Sequence, residues 1–579
     1  MKLRLLKLSP AFLLIIILAS CGKSSNTEGK MIPKNSSFVV TINTKSLTEK
    51  ANLKELVKEQ WYQDLTKDFR SDSTVPEVFR NFNGDLSAIG INTNENVNVF
   101  MEITDNGETI VAFEGGISDS KKFEDFILQA SKKSVVDKDG DIHYLSSTDN
   151  NIITWNKDHF VGGVLQRKYS AYDDMFPRKG SNVTSDGSNL KTYLVKCYNL
   201  GSSDNLTKEG TFTDLMHTEG DIHMWTSMEN MMKGNMALAS MSMLKMEDLI
   251  KGYVNTYTLN FEKGKLTLSM KSYLSKKVAS AIKKSNDDFN ADMIRYIPSQ
   301  NVPFAFAGHF NPSSLQKIIE LTGMDGLFNV MLKRSVGFTI DDIVKSTNGD
   351  IMMAITDPVP DSDTTVTDKK KRGGKVIFAV SMNDKDIFNK IVRSFRELSR
   401  REEDSSIHYT SNKEFFVLSN DEAAMNQWLE GKKHDQPFLS KITGKPFGGY
   451  VDINKIISMS KPEAKDTALL KLWEVSEKMW DNAIFTGGDW NDGGINMKLE
   501  VNLFDKNMNS LEQMLRFAGS AVNAYQEKKK REYSFDYDSI DKIDDIKVDT
   551  AIKFTPPKIV SDEEVRKEVD KMTPVKKKH

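Results

Sequence analysis

Short apolar runs of strand character alternate with stretches of helical period along this chain, and together they predict an α+β protein. Residues 38–42 (FVVTI) are rich in β-formers and predict a strand. Ser46, with Glu49 three residues on, has the form of a capping box and predicts a helix over 47–57. Residues 100–105 and 110–113 predict a hairpin. Ser118 and Asp119 then cap a helix whose apolar face is Phe123, Phe126, Ile127 and Ala130, at helical spacing. A turn at 137–141 leads to Ile142-His143-Tyr144, and residues 152–155 and 159–164 continue a run of antiparallel strands.

The same order returns later. Ile32-Pro33, a polar step, the strand 38–42 and Asn43 are matched by Ile297-Pro298, a polar step, residues 304–310 and Asn311. Residues 352–357 and 376–380 repeat the hairpin, and Phe388, Ile391, Val392 and Phe395 repeat the helix face. Ile407-His408-Tyr409 follows Phe388 at the spacing by which Ile142-His143-Tyr144 follows Phe123. Each stretch closes with a strand, helical residues and a hairpin: 222–225 with 256–261 and 266–270, then 450–453 with 483–486 and 495–501. The last of these turns at Asn491-Asp492-Gly493-Gly494, a strong hairpin signal. A repeat of this length is a duplicated domain rather than a solenoid unit. The expected fold is therefore two tandem similar halves, residues 31–285 and 292–525, each an antiparallel sheet with helices packed on one face. Residues 358–374, rich in Asp and Thr and ending in a Lys/Arg run, read as a solvated loop, and residues 526–579 as a charged, largely flexible tail.

The N-terminus carries an address. Lys2, Arg4 and Lys7 precede the apolar residues 8–18, a run too short for a membrane span, and Leu18-Ala19-Ser20-Cys21 has the form of a bacterial lipobox. Residues 1–20 then read as a lipoprotein signal peptide, Cys21 as the lipidated (palmitate-bearing) first mature residue, and 21–30 as a polar tether. Several acyl chains, at about 0.8 kcal/mol per buried CH₂, make such anchoring effectively permanent. Gly22 rather than Asp after the cysteine resembles outer-membrane sorting, and the lack of an acidic run favours the periplasmic face over the cell surface. With Cys21 acylated, Cys197 has no disulfide partner, and its apolar setting makes it a small buried hydrophobe.

Composition narrows the function classes. Hydrophobic content of 39% supports real cores, and the length suits two large domains or about four ordinary ones. A net charge of −2 argues against nucleic acid as the main partner. Asp137, Asp139 and Asp141 around Gly140 resemble a calcium loop but lack its distal Glu, so they read as a turn. His217, Glu219, Asp221 and His223 place four metal-ligand types at alternate positions, although Gly220 favours a turn feeding a strand. Met228, Met231, Met232 and Met236 open a Met-rich stretch that reads as core filler or as an apolar binding surface. No nucleophile elbow, zinc-protease His-Glu-x-x-His, phosphate loop or cysteine pair is found, and no cofactor is implied. Acidic residues are plentiful, but none is singled out as a glycosidase pair.

The lipobox, the Ile-Pro opening with Phe38-Val39-Val40-Thr41-Ile42-Asn43, and its second copy resemble the Bacteroidetes lipoproteins catalogued as domain of unknown function 4836, over most of residues 20–525. The resemblance implies an envelope address and a duplicated α+β body, and transfers no catalytic residue. The expectation is a lipid-anchored envelope protein, a non-catalytic module binding an envelope protein partner or an apolar ligand in the Met-rich stretch or the groove between halves. The alternative is an envelope hydrolase acting on glycans or peptides.

Overall fold

The computed structural model describes residues 28–71, 85–104, 107–131, 135–148, 150–166, 188–233, 249–282, 287–359, 373–399, 407–461 and 467–540. Residues 1–20, Cys21, the tether through 27, Met236 and the tail beyond 540 lie outside them, as does most of the 358–374 loop. The sheet and packing below belong to one compact unit ending at Ala524; a second unit starts at Tyr525, and its described residues are helical.

Eighteen strands and eighteen helices occur among the described residues. The strands are β1 (Phe38–Ile42), β2 (Val97–Ile103), β3 (Thr109–Gly116), β4 (Asp137–Asp139), β5 (Ile142–Thr148), β6 (Asn151–Trp155), β7 (His159–Gln166), β8 (Ile222–Ser227) and β9 (Val254–Glu262). They continue as β10 (Lys265–Tyr273), β11 (Phe304–His309), β12 (Thr347–Thr356), β13 (Lys375–Met382), β14 (His408–Ser411), β15 (Phe415–Ser419), β16 (Phe447–Asp452), β17 (Trp480–Asn491) and β18 (Gly494–Leu503).

All pair antiparallel in one sheet, in the spatial order β4-β5-β6-β7-β3-β2-β1-β8-β9-β10-β18-β17-β16-β11-β12-β13-β15-β14. The expectation of one sheet per half is corrected here. β10 and β18 would each end a sheet with an open edge, and they close it by pairing with each other, Lys265↔Asn502 through Ser272↔Ile495. From this seam outwards the order of pairing recurs: β9, β8, β1, β2, β3, β7, β6 on one side and β17, β16, β11, β12, β13, β15, β14 on the other.

Helices pack on both faces, not one. On β7, Val161 joins a core with Leu190 and Leu194 of the helix Ser188–Cys197, whereas its neighbour Phe160 stacks on Phe123 of the helix Ser120–Ser131 at 5.2 Å. On β15, Phe415 meets Trp428 of the helix Glu422–Leu429 at 5.3 Å while Phe416 meets Phe388 of the helix Lys385–Ser399 at 5.2 Å. Successive residues point to opposite faces, so these strands are apolar on both sides, a pattern that reads as weak alternation in sequence.

Two local expectations also change. The first helix starts at Thr44 with Asn43, not Ser46, as its N-cap: the Asn43 side chain accepts from the Ser46 N–H at 3.1 Å. Asn311 caps the helix Pro312–Leu321 in the same way. And β14, which holds His408, occupies the place of β6 rather than that of β5, which holds His143. The turns agree: Asn156 Oδ1 accepts from the N–H groups of Asp158 and His159 (2.9 and 2.8 Å), and Asn412 Oδ1 from those of Glu414 and Phe415 (2.8 and 2.7 Å). The β4–β5 hairpin is an additional pair at one sheet edge; of the expected turn 137–141, Asp137–Asp139 is instead strand β4, paired with β5, and only Gly140 and Asp141 make the turn, with Gly140 at positive φ.

The helices that follow the seam strands cross it. Lys276–Ile282, after β10, docks on Pro312–Leu321, where Ser314 Oγ donates to Ala281 O at 2.8 Å. Ser510–Ile540, after β18, brings Leu511 and Met514 onto Ile42, Leu47 and Phe261. Its Glu512 accepts from Asn52 Nδ2 at 3.3 Å and from Arg516 Nη2 at 2.9 Å, and Arg516 also pairs with Glu59.

Candidate functional site

Three buried polar side chains stand side by side on β1, β2 and β3. Thr41, Asn98 and Glu114 are register partners on these adjacent strands and point into the otherwise apolar face that carries Val39, Phe100 and Ala112. Thr41 Oγ1 donates to Asn98 Oδ1 at 2.5 Å. Asn98 Nδ2 donates to Glu114 Oε1 at 2.6 Å and to Glu28 Oε2 at 3.0 Å. Asn96 Nδ2 donates to Glu28 Oε1 at 2.8 Å, which ties the start of the described chain to β2. Glu95 Oε1 accepts from Asn92 Nδ2 at 2.8 Å, and its Oε2 lies 3.6 Å from His159 Nε2.

Glu28, Glu95, Asn96, Asn98, Glu114 and His159 line a cavity of about 520 Å³, together with Tyr198, Asn205 and Thr207. Burial pushes the Glu114 carboxyl up to about 8; the Glu28 carboxyl repels it further, the Asn98 amide opposes the shift, and Glu95 adds to it. Burial also raises Glu28, against the hydrogen bonds from Asn98 and Asn96. At neutral pH Glu114 is therefore largely a neutral acid. One atom is left over: Asn96 is 7% exposed, and its Oδ1 is buried with no hydrogen-bond partner.

The fourth residue of β11 is Ala307, which pairs with Met352, which pairs with Ala379. Ala379 stands five residues before Asp384 at the start of its helix, as Glu114 stands five before Asp119. All three are fully buried in an apolar core. By these counts the rung matching Thr-Asn-Glu is Ala-Met-Ala; counted back from the capping Asn43 and Asn311, Thr41 instead matches His309, whose register partner Asp350 lies 3.1 Å from its Nδ1, a polar pair.

The residues expected from sequence lie elsewhere. Asp221 is buried and takes the Lys50 ammonium on both oxygens at 2.7 Å, with the Ser46 hydroxyl and the Phe261 N–H (2.6 Å) as further donors. His223 Nε2 lies 3.1 Å from Thr218 O, burial lowers its pKa, and His217 and Glu219 are exposed. The four are not gathered into a ligand set, and among the described residues no group of three or more His, Cys, Asp or Glu is arranged to hold a metal. Met228 and Met231 bound a one-turn helix, Met228–Met231, with Met231 exposed and Met232 half-buried just after it. Cys197 is buried, its thiol pushed up by burial.

A second concavity, about 410 Å³, lies over the seam, floored by Thr258 of β9, Ser269 and Lys271 of β10, Lys498 of β18 and Thr486 of β17. Its cations are engaged: Lys445 with Asp489 (2.7 Å), Lys498 with Glu500 (2.6 Å) and Lys271 over the Tyr273 ring (4.9 Å).

Sequence reasoning missed Asn96, Asn98 and Glu114. The signal was a polar residue at the core-facing step of an apolar strand, readable only once the buried face is known. One family model matches the chain, that of a domain of unknown function (DUF4836), over residues 29–358, from just before β1 to just past β12. No curated protein and no solved structure matches.

Proposed function

We propose, for a chain that belongs to the DUF4836 family, the role of a lipid-anchored, non-catalytic binding module of the cell envelope. In this reading Cys21 carries the lipid, the protein faces the periplasm from the outer membrane, and two similar halves form the body. The lipobox residues support the anchor, and the recurring order of strand pairing about the β10–β18 seam supports the halves. Among the described residues no helix is long and apolar enough to cross a membrane.

The observation that carries the binding role is the hydrogen-bonded Thr41-Asn98-Glu114 ladder, a costly buried polar set whose Asn98 and Glu114 line the cavity. The test is a thermal-shift panel of small polar ligands on the intact protein, against Asn98→Leu. A ligand that raises the melting temperature of the wild type and leaves Asn98→Leu unmoved supports the role; a panel without a responder sinks it. Alkyne-palmitate labelling of the wild type, lost in Cys21→Ser, tests the anchor.

The second reading, a hydrolase acting on envelope glycans or peptides, is favoured by two carboxyls with raised pKa in one cavity, Glu28 and Glu114. Against it, the Asn98 amide stands between them and donates to both, where a scissile bond would need room. Hydrolysis of cell-wall fragments that disappears in Glu114→Gln would decide for this reading.

A further inference from the structure

We propose that the Glu28–Asn96–Glu114 cavity takes an organic ammonium group, held by the three carboxylates Glu28, Glu95 and Glu114 and by the unpartnered carbonyl oxygen of Asn96. This deepens the binding role above and rests on it.

Complementarity selects the ligand. The buried polar atom without a partner is an acceptor, Asn96 Oδ1. The carboxyls around it are acceptors once ionised, and the Asn98 and Asn96 amide N–H groups are already spent on Glu28 and Glu114. A ligand that supplies N–H donors and positive charge answers that inventory; an anion or a pure acceptor does not. The volume suits an organic molecule rather than a bare ion.

Other titratable groups face the same space. Lys30 and Tyr198 line it, His159 sits beside Glu95, and Cys197 lies behind Tyr198. Burial keeps the Tyr198 phenol protonated, donating to Thr154 O at 2.9 Å. Glu114 therefore answers an entering cation by losing its proton to solvent: the neutral acid becomes a carboxylate and one proton leaves for each ammonium bound.

Glu28 stands seven residues after Cys21, so with Cys21 acylated the link can reach at most roughly 25 Å, which keeps the cavity near a bilayer surface. The amine can then come from solution or from a lipid headgroup, and the experiment separates the two. The intact protein is titrated calorimetrically with ethanolamine at pH 6 and 8.5, in buffers of different ionisation enthalpy, and floated with vesicles of phosphatidylethanolamine and phosphatidylglycerol or phosphatidylglycerol alone. The non-lipidated Cys21→Ser protein is used for flotation.

The expected results are saturable binding at least tenfold tighter at pH 8.5 than at pH 6, proton release on binding, and at least tenfold loss in Glu114→Gln and in Asn96→Leu. Flotation that needs phosphatidylethanolamine assigns the headgroup as the source; ethanolamine binding without it assigns a soluble amine. Neither ethanolamine binding nor selective flotation, or binding equal in Glu114→Gln, Asn96→Leu and wild type, overturns the proposal. If neutral sugars instead raise the melting temperature through Asn98, the binding role stands and the ammonium class falls; if nothing binds, both fall.

Discussion

Asn98 Nδ2 donates to Glu114 Oε1 at 2.6 Å between register partners of adjacent strands, inside a face that is otherwise apolar. Burial of that carboxyl, which the contact only partly offsets, makes stability depend on pH. Glu114 is raised to about 8 in the fold, from an ordinary carboxyl value of 4.5. Between those values the folded state holds a proton that the unfolded chain releases, so stability falls as pH rises through the window, by up to about 1.4 kcal/mol per pH step from this one group. Below the window its contribution is full, and above it the loss is complete. Glu28 is raised too and acts in the same sense. Urea midpoints from pH 5 to 9 are expected to fall for the wild type and to fall much less for Glu114→Gln.

Lys50 neutralises Asp221, and removing it strands a buried carboxylate between the first helix and β8–β9. Lys50→Met is expected to cost about 3 kcal/mol, as breaking one partner of a buried pair does. Chemical denaturation measures it; a change under 1 kcal/mol would mean that Ser46 and the Phe261 N–H suffice.

The crossed helices predict interdependence. A fragment of residues 28–285 exposes the β10 edge and leaves Ile42 and Leu47 without Leu511 and Met514. It is expected to aggregate alone and to become soluble when co-expressed with residues 287–540. Size-exclusion chromatography of the two fragments, separate and together, reads the outcome, and a monodisperse 28–285 would refute it.

Trp428 is fully buried, T-shaped against Tyr296 (5.4 Å) and Phe415 (5.3 Å), with Nε1 donating to Met293 O at 3.1 Å. Trp428→Ala removes the largest side chain of that core and orphans a carbonyl. A loss of about 3–5 kcal/mol is expected in denaturant titrations.

Much of the architecture was legible from local pattern. Strand and helix order, the helix faces at Phe123 and Phe388, and the Asp492-Gly493 turn follow from period and turn chemistry. Asp492 and Gly493 both take positive φ (47° and 84°) between the paired Asn491 and Gly494. Local rules failed where two candidates competed: Asn43 took the cap from Ser46, and equal spacing placed His408 with His143 although the extra β4–β5 hairpin had shifted the count.

Period and turn chemistry, which act over a few residues, determined which segments are strands or helices and in what order. Tertiary structure alone decided that β10 meets β18, that helices cover both faces, and that Glu28, Asn98 and Glu114 converge, because pairing and burial join residues far apart in the chain. A Glu on a strand carries no mark of its face; only packing turned Glu114 inward and gave it a shifted proton.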